Sequence, residues 1–208
     1  DGPTRLFDRV DTLVADTNPQ NDRVESFLDY DEHYLLLGTL DGLVRYNRVA
    51  GRFEACPVTF PGLSAPVKIM SLARSQNGDV LLIANGKPFR VHLSAVNTTA
   101  MPLPLPDDLF QGQHIVEDQT GSVWVTTENG LAQINEAADF CWFYDSGHYL
   151  HDNIFLMRPS VAPILDGDGN LYFGGSRGVS MLRPLDFKVR KTPPPPVRII
   201  ALHINDQP

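Results

Sequence analysis

The chain has 208 residues, of which 42% are hydrophobic and 20% charged, and its formal net charge is −8. An acidic surface disfavours non-specific attachment to nucleic acid, so we expect no nucleic-acid partner. No stretch approaches the roughly 20 apolar residues that span a bilayer. The two cysteines, Cys56 and Cys141, are too few for a disulfide framework.

A glycine-marked element recurs along the whole chain. It begins as Asp1-Gly2-Pro3, which matches Asp41-Gly42-Leu43, and its anchor glycines are Gly2, Gly42, Gly86, Gly130 and Gly178. A period of about 44 residues without any amphipathic helix of ten residues or more is typical of four-stranded propeller blades. The sequence therefore predicts an all-β protein, a β-propeller of four-stranded antiparallel blades.

The predicted elements follow in chain order. Residues 1–23 are expected to be outer strands of a preceding blade, and residues 24–190 four blades at about 24–60, 66–98, 113–145 and 160–190. The second blade is degenerate, because Asn85-Gly86-Lys87-Pro88 lacks the apolar residue that follows the other anchor glycines. This puts its hairpin geometry in doubt.

The third repeat is the best formed. Its predicted strands are about Gln113–Asp118, Ser122–Thr127, Leu131–Asn135 and Asp139–Tyr144. Asn129-Gly130 suits the tight hairpin between the second and third strands, because both residues tolerate positive φ.

The second strand of each repeat is apolar on both faces, as in Val123-Trp124-Val125. A sheet packed on one side would alternate strictly, so both faces are expected to be covered by neighbouring blades. Small residues such as Gly38 follow these strands, where we expect backbones to crowd together. Four blades and part of a fifth could close a small ring, but the start in mid-blade favours a partial ring of a larger propeller.

The chain changes character after residue 190. Residues 191–208 contain the four prolines Pro193–Pro196, which favour an extended spacer. The β-branched stretch from Val197 to Asn205 then predicts the first strand of a second domain.

The repeats resemble the two-component-regulator propeller repeat, whose pattern is roughly D-x-x-G-x-[LIV]-W-[LIV]-G-T-x-x-G-L. The segment Asp118–Leu131 matches this pattern with Thr126 in place of a glycine. The last blade is similar to the terminal repeat of that family at Tyr144-Asp145, Asn153, Phe155, Gly169–Gly175 and Arg183-Pro184. The tail is similar to the linker and first strand of the immunoglobulin-like domain that follows such propellers.

The resemblance implies the periplasmic sensor region of an inner-membrane receptor. Such receptors carry a histidine kinase, hybrid two-component or diguanylate cyclase output after a transmembrane helix, and the membrane is reached only through that downstream segment. Many of them are dimers and several sense glycans. We therefore expect a homodimer with a small-molecule or glycan ligand, and no catalysis in this segment.

Candidate ligand contacts lie in the longest connection and on an outer strand. They are His148, Tyr149, His151 and Asp152, together with Trp142, because loops on a rigid scaffold often hold binding residues. Asp166–Asn170 imitates the start of a calcium loop but lacks its glycine and closing glutamate, so we interpret it as a hairpin turn. We assign Trp124 to the core. We expect no metal site and no cofactor, since zinc spacing, a phosphate loop and a nucleophile motif are absent from the sequence.

Three functions remain open at this point. The first is a ligand-sensing module, the second a propeller scaffold for protein–protein contact without a small ligand, and the third a propeller enzyme. Because one fold hosts many functions, the site must decide between them.

Overall fold

The structure, a computed structural model, describes residues 23–93, 98–106, 111–145, 162–175 and 178–186. Regular structure in these ranges is β, apart from one turn of 3-10 helix at Pro184–Asp186. The all-β prediction is confirmed. In the described ranges, no helix has the length and apolar character needed to cross a bilayer. Nearly all of the predicted strands before residue 24, and the whole predicted tail at 191–208, lie outside the described residues.

The first sheet contains four antiparallel strands in chain order. They are Val24–Asp29 (β1), Tyr34–Thr39 (β2), Gly42–Asn47 (β3) and Arg52–Ala55 (β4). After it, Val58–Thr59 forms the short strand β5.

The second sheet has the order β10-β8-β7-β6. Its strands are Ile69–Arg74 (β6), Val80–Ala84 (β7), Lys87–Val91 (β8) and Met101–Pro102 (β10). Thr98–Thr99 (β9) does not join this sheet, because it pairs in parallel with β5. The outer strand of the second sheet, β10, comes after this β5–β9 pair in the chain. The range 66–98 predicted for the second blade therefore ends too early.

The third sheet contains Gly112–Glu117 (β11), Val123–Thr127 (β12), Leu131–Ile134 (β13) and Cys141–Tyr144 (β14). These bounds differ from the predicted strands by at most two residues. The fourth sheet has three described strands, Ile164–Leu165 (β15), Leu171–Gly175 (β16) and Gly178–Leu182 (β17).

Apolar cores lie between successive sheets. Leu36 of β2 packs with Leu82 of β7, whereas Leu81 of β7 packs with Val125 of β12. Every residue of β7 is buried, so this strand is covered on both faces, as its sequence predicts. Burying each large side chain contributes roughly 1.5–3 kcal/mol relative to leaving it exposed, and this holds the sheets face to face.

Strands β1, β6 and β11 lie side by side, and each carries a bulge near its beginning. The extra residues are Glu25, Met70 and Gln113, each opposite the same end of the second strand of its sheet. A bulge bends its strand and increases the local twist. Next to the first bulge, a Cβ atom at Gly38 would lie 2.8 Å from the carbonyl oxygen of Ile69, which confirms that backbones crowd there.

In the third sheet and again in the fourth, an aspartate side chain holds the turn between the first and second strands. The Asp118 carboxylate accepts hydrogen bonds from the backbone N–H of Thr120 at 2.7 Å and from the indole N–H of Trp124 at 2.6 Å. The Asp166 carboxylate accepts hydrogen bonds from the backbone N–H of Asn170 at 2.8 Å and from the Tyr172 hydroxyl at 3.0 Å.

The four predicted turn glycines all lie at the hairpin between the second and third strands, with positive φ. Gly42 and Gly130 occupy the first position after two turn residues, with φ of 107° and 157°, and Gly178 pairs with Gly175 at the start of β17, with φ of 140°. Gly86 is itself a turn residue, because Ala84 pairs with Lys87 across Asn85-Gly86. Asn85 and Gly86 have φ of 47° and 79°, the signature of a type I′ turn. The degenerate second repeat thus also forms a hairpin, but with its glycine inside the turn instead of directly after it.

Candidate functional site

The turns between the first and second strands of neighbouring sheets contact one another at one end of the stack. The Tyr30 hydroxyl donates to the carbonyl oxygen of Gly78 at 3.3 Å. The Gln76 side-chain amide donates to the carbonyl oxygen of Asp118 at 2.6 Å. These bonds fix the spacing of the first three sheets at this end, which we call the turn end.

A polar cleft opens at the turn end between the second and third sheets. Its volume is about 350 Å³, comparable to the smaller ligand pockets of proteins. We name it the polar cleft, and its lining residues are Gln76, Asn77, Arg90, Glu117, Gln119, Thr120, Gly121 and Glu136. The lining comes from two turns, from β8 and β11, and from the residues after β13, so both sheets are needed to form it.

An ion pair crosses the floor of the polar cleft. The Arg90 guanidinium lies 3.1 Å from Glu117 Oε1, and the two side chains are only 14% and 5% exposed. The backbone N–H of Gln76 donates to the other Glu117 oxygen at 2.5 Å. Because both carboxylate oxygens are bonded across the sheet junction, Glu117 is fixed in place.

The charge network continues from Arg90 toward solvent. Arg90 lies 3.9 Å from Asp79, whose other oxygen is 2.8 Å from His92 Nδ1. His92 is 83% exposed, so the network ends in water. Arg90 is thus flanked by two carboxylates, so its positive charge is already paired before any ligand binds.

The lining of the polar cleft determines its chemistry. Amide, hydroxyl and carboxylate groups can donate to and accept from hydroxyl groups, and Arg90 adds a fixed fork of donors. The exposed Glu136 adds a carboxylate at the rim. The arrangement suits a small ligand rich in hydrogen-bonding groups.

A second cleft, of about 280 Å³, lies at the opposite end of the first sheet. Its lining is mainly apolar and includes Leu43, Val44, Cys56, Phe60 and Val67. Fewer polar groups converge there, so it offers less basis for orienting a ligand.

Of the predicted ligand contacts, Trp142 is the one that the structure describes, and it is not among the lining residues of either cleft. His148, Tyr149, His151 and Asp152 lie outside the described residues. Trp142 is half-buried on β14, opposite Gln133, with its ring 4.1 Å from that of Phe140 between centroids. Trp124 is fully buried, as predicted.

In the possible calcium loop, Asp166–Asn170, the first carboxylate is hydrogen-bonded within its own hairpin. The Asp166 carboxylate accepts bonds from Asn170 and Tyr172, and the side-chain hydrogen bond from Asn170 is the main cause that lowers its pKa. No group of three His, Cys, Asp or Glu side chains within the described ranges is placed to hold a metal ion.

Both cysteines are free thiols, Cys56 directly after β4 and Cys141 at the start of β14. Burial raises the pKa of Cys56 above its usual value and that of Cys141 to about 11. Such thiols carry little thiolate near neutral pH and are poor nucleophiles.

No motif in the sequence indicates the polar cleft directly. Arg90 lies opposite Leu81, at the strand position that Arg45, Gln133 and Met181 occupy in the other sheets. Aligning the repeats would have placed a charged residue at this position, but not its partner Glu117, which comes from the next repeat.

The structure is similar to solved extracellular domains of bacterial signalling proteins. That of the hybrid two component system BT4673 from B. thetaiotaomicron matches with a TM-score of 0.61 and 20% identity, over 76% of this chain and 21% of that one. That of BT3049 from the same organism matches with a TM-score of 0.58 and 21% identity, over 77% and 22%. The chain thus spans about a fifth of the length of these domains.

An enzyme has a related fold. Streptogramin B lyase matches with a TM-score of 0.55 and 16% identity, over 77% of this chain and 54% of the lyase. The sequence matches no family model, and no curated protein matches it. At these identities the similarity shows the fold, and it confirms at that level the resemblance to two-component-regulator propellers.

Proposed function

We propose that the chain is an extracytoplasmic, ligand-sensing propeller segment of a bacterial transmembrane signalling receptor. The observation that carries this proposal is the shared fold of the extracellular domains of BT4673 and BT3049, together with the order of repeats, proline spacer and following strand in the sequence. In this proposal the segment itself is not catalytic, and it resides in the periplasm. A histidine kinase or diguanylate cyclase output would lie elsewhere in the protein.

We place the ligand in the polar cleft and expect a small hydroxyl-rich molecule such as a glycan fragment. The cleft is formed by two sheets, so a ligand that bridges them can favour one spacing of the sheets over another. Only such a difference in affinity between two arrangements can transmit a signal. A homodimer would carry that change between protomers.

Binding is tested by thermal unfolding of the folded chain against a panel of mono- and oligosaccharides. A ligand that binds the native state raises Tm progressively with its concentration, and at a hundred times its Kd it stabilises the fold by about 2.7 kcal/mol. Glu136→Gln should weaken this effect, because Glu136 lines the rim of the cleft. The matched control is Glu128→Gln, an exposed glutamate at the hairpin between β12 and β13. Saturable binding that Glu136→Gln leaves intact would contradict the placement in the cleft.

The receptor assignment has a separate test. The complete reading frame that contains these 208 residues should encode a membrane-spanning segment and a signalling output domain. A complete frame without either would contradict the receptor and favour the alternative of a propeller scaffold for protein–protein contact. The enzyme alternative rests on the fold of streptogramin B lyase, and conversion of a ligand in the same mixtures would support it.

A further inference from the structure

Three Asn-Gly pairs occur in the sequence, and each lies at a hairpin. Asn77-Gly78 lies between β6 and β7, Asn85-Gly86 between β7 and β8, and Asn129-Gly130 between β12 and β13. A glycine leaves its backbone nitrogen open to approach, because it has no side chain to obstruct a neighbouring group. The nitrogen can then attack the side-chain amide carbon of the preceding asparagine. Since the three pairs are chemically identical, their surroundings decide which of them reacts.

Two of the three side-chain amides are held in place. Asn77 Oδ1 accepts a hydrogen bond from the backbone N–H of Asp79 at 3.0 Å, and its Nδ2 donates to the Asp79 carboxylate at 2.9 Å. Asn85 Oδ1 accepts from the backbone N–H of Lys68 at 2.8 Å, and its Nδ2 donates to the carbonyl oxygen of Pro66 at 3.4 Å. Attack on either amide carbon requires these bonds to break.

Asn129 lies in a different environment. Asn129 is exposed to solvent, and its backbone N–H donates to the Thr127 hydroxyl at 3.3 Å. Among the described residues, no hydrogen bond holds its side-chain amide. The amide carbon is therefore free to rotate toward the nitrogen of Gly130, in solvent that supplies the water for the second step.

We propose that Asn129 is a site of spontaneous deamidation in the folded protein. The Gly130 nitrogen forms a bond to Cγ of Asn129, loses its proton, and ammonia leaves with that proton, giving a five-membered succinimide. Water then adds to one of the two ring carbonyls and opens the ring to aspartate or isoaspartate at position 129. No oxidant, reductant or cofactor takes part.

The product alters the hairpin in two ways. The new carboxylate stands next to Glu128, so two like charges share an exposed turn. Isoaspartate also adds one carbon to the main chain, directly before a glycine whose Cβ position is already occupied by the Tyr144 carbonyl oxygen and the Phe143 ring. The longer main chain has to be accommodated at this closely packed hairpin.

Peptide mapping by mass spectrometry of the folded chain, aged at mildly alkaline pH, tests the proposal. Conversion of amide to acid should be at least about fivefold faster at Asn129 than at Asn77 or Asn85, because at least two bonds of about 0.5–1.5 kcal/mol hold each of the other amides. Asn129→Gln serves as a control that should remove the fast component and leave the two slow sites unchanged.

The same measurement in denaturant supplies the matched reference. Without structure, the three pairs should convert at similar rates, which assigns the difference in the native state to the fold. The proposal is overturned if Asn77 or Asn85 converts as fast as Asn129 in the folded chain. It is equally overturned if Asn129 converts only after unfolding.

Discussion

The junction between the second and third sheets differs in chemistry from the junction between the third and fourth. At the first junction, Leu81 lies beside Arg90, whose charge is paired with Glu117 of the next sheet. At the second, Trp124 takes the place of Leu81 and Gln133 that of Arg90. Tyr144 stacks on Trp124 at 6.0 Å between ring centroids and donates its hydroxyl to Gln133 at 2.8 Å.

The difference shows how one repeat produces a site at one junction and only a core at another. Large aromatic rings fill the gap between the third and fourth sheets. Between the second and third sheets, a charged pair spans the gap and leaves polar surface at its edge. A ligand-sized cleft in a stack of equivalent sheets therefore depends on substitutions at a few matched positions, not on the fold.

Replacing Trp124 tests the aromatic junction and should have the largest effect. Trp124→Ala removes a fully buried ring and should lower the free energy of unfolding by about 3–5 kcal/mol. Trp124→Phe keeps most of the apolar surface but leaves the Asp118 carboxylate without its indole donor, and should cost about 1–3 kcal/mol. Urea titration with linear extrapolation measures both. A loss below about 1 kcal/mol for Trp124→Ala would show that the junction is not packed as described.

Alanine at equivalent hairpin glycines separates local strain from packing. Gly42 has φ of 107° with no atom within 4 Å of its Cβ position, so Gly42→Ala should cost about 1–2 kcal/mol from backbone strain alone. Gly130→Ala should cost about 3 kcal/mol, because its Cβ would also meet Tyr144 and Phe143. Equal losses in urea titrations would contradict the close approach at Gly130.

The pH dependence of thiol alkylation tests the face of the third sheet that packs against the second. Cys141 has a pKa raised to about 11 from 9.0 by burial, so below pH 9 its thiolate fraction is about a hundredfold lower than in the unfolded chain. Its labelling rate should therefore rise with pH until about pH 11. Rapid labelling at pH 8 in the folded chain, equal to that in denaturant, would place Cys141 in solvent.

Local signals in the sequence predict most strands of the sheets. The features that the sequence does not predict, β10 and the polar cleft, depend on pairings between residues far apart in the chain. The third repeat predicts its strands closely because Asp118, Trp124 and Gly130 act within one hairpin or one sheet. The outer strand β10 lies beyond the predicted range of about 66–98, because Thr98 pairs with Val58, far away in the chain, before β10 begins. Arg90 and Glu117 belong to different repeats, so no single repeat predicts the polar cleft.

Trp142 is the one predicted ligand contact among the residues that the structure describes. Trp142 lies on β14, on the face that points away from the second sheet, and its ring packs on Phe140. Strand alternation sets the direction of its side chain, and its role as a ligand contact stays a prediction. For His148 and its neighbours the ligand role stays a prediction.

The second and third sheets pack face to face, with Arg90 and Glu117 paired across their junction. A double-mutant cycle with Arg90→Met and Glu117→Gln measures that pairing directly, because it isolates the interaction energy of the two side chains. For a buried, hydrogen-bonded pair we expect a coupling of about 1.5–3 kcal/mol in the free energy of unfolding. A coupling indistinguishable from zero would mean that the two residues do not meet, and the arrangement of the sheets around the polar cleft would be wrong.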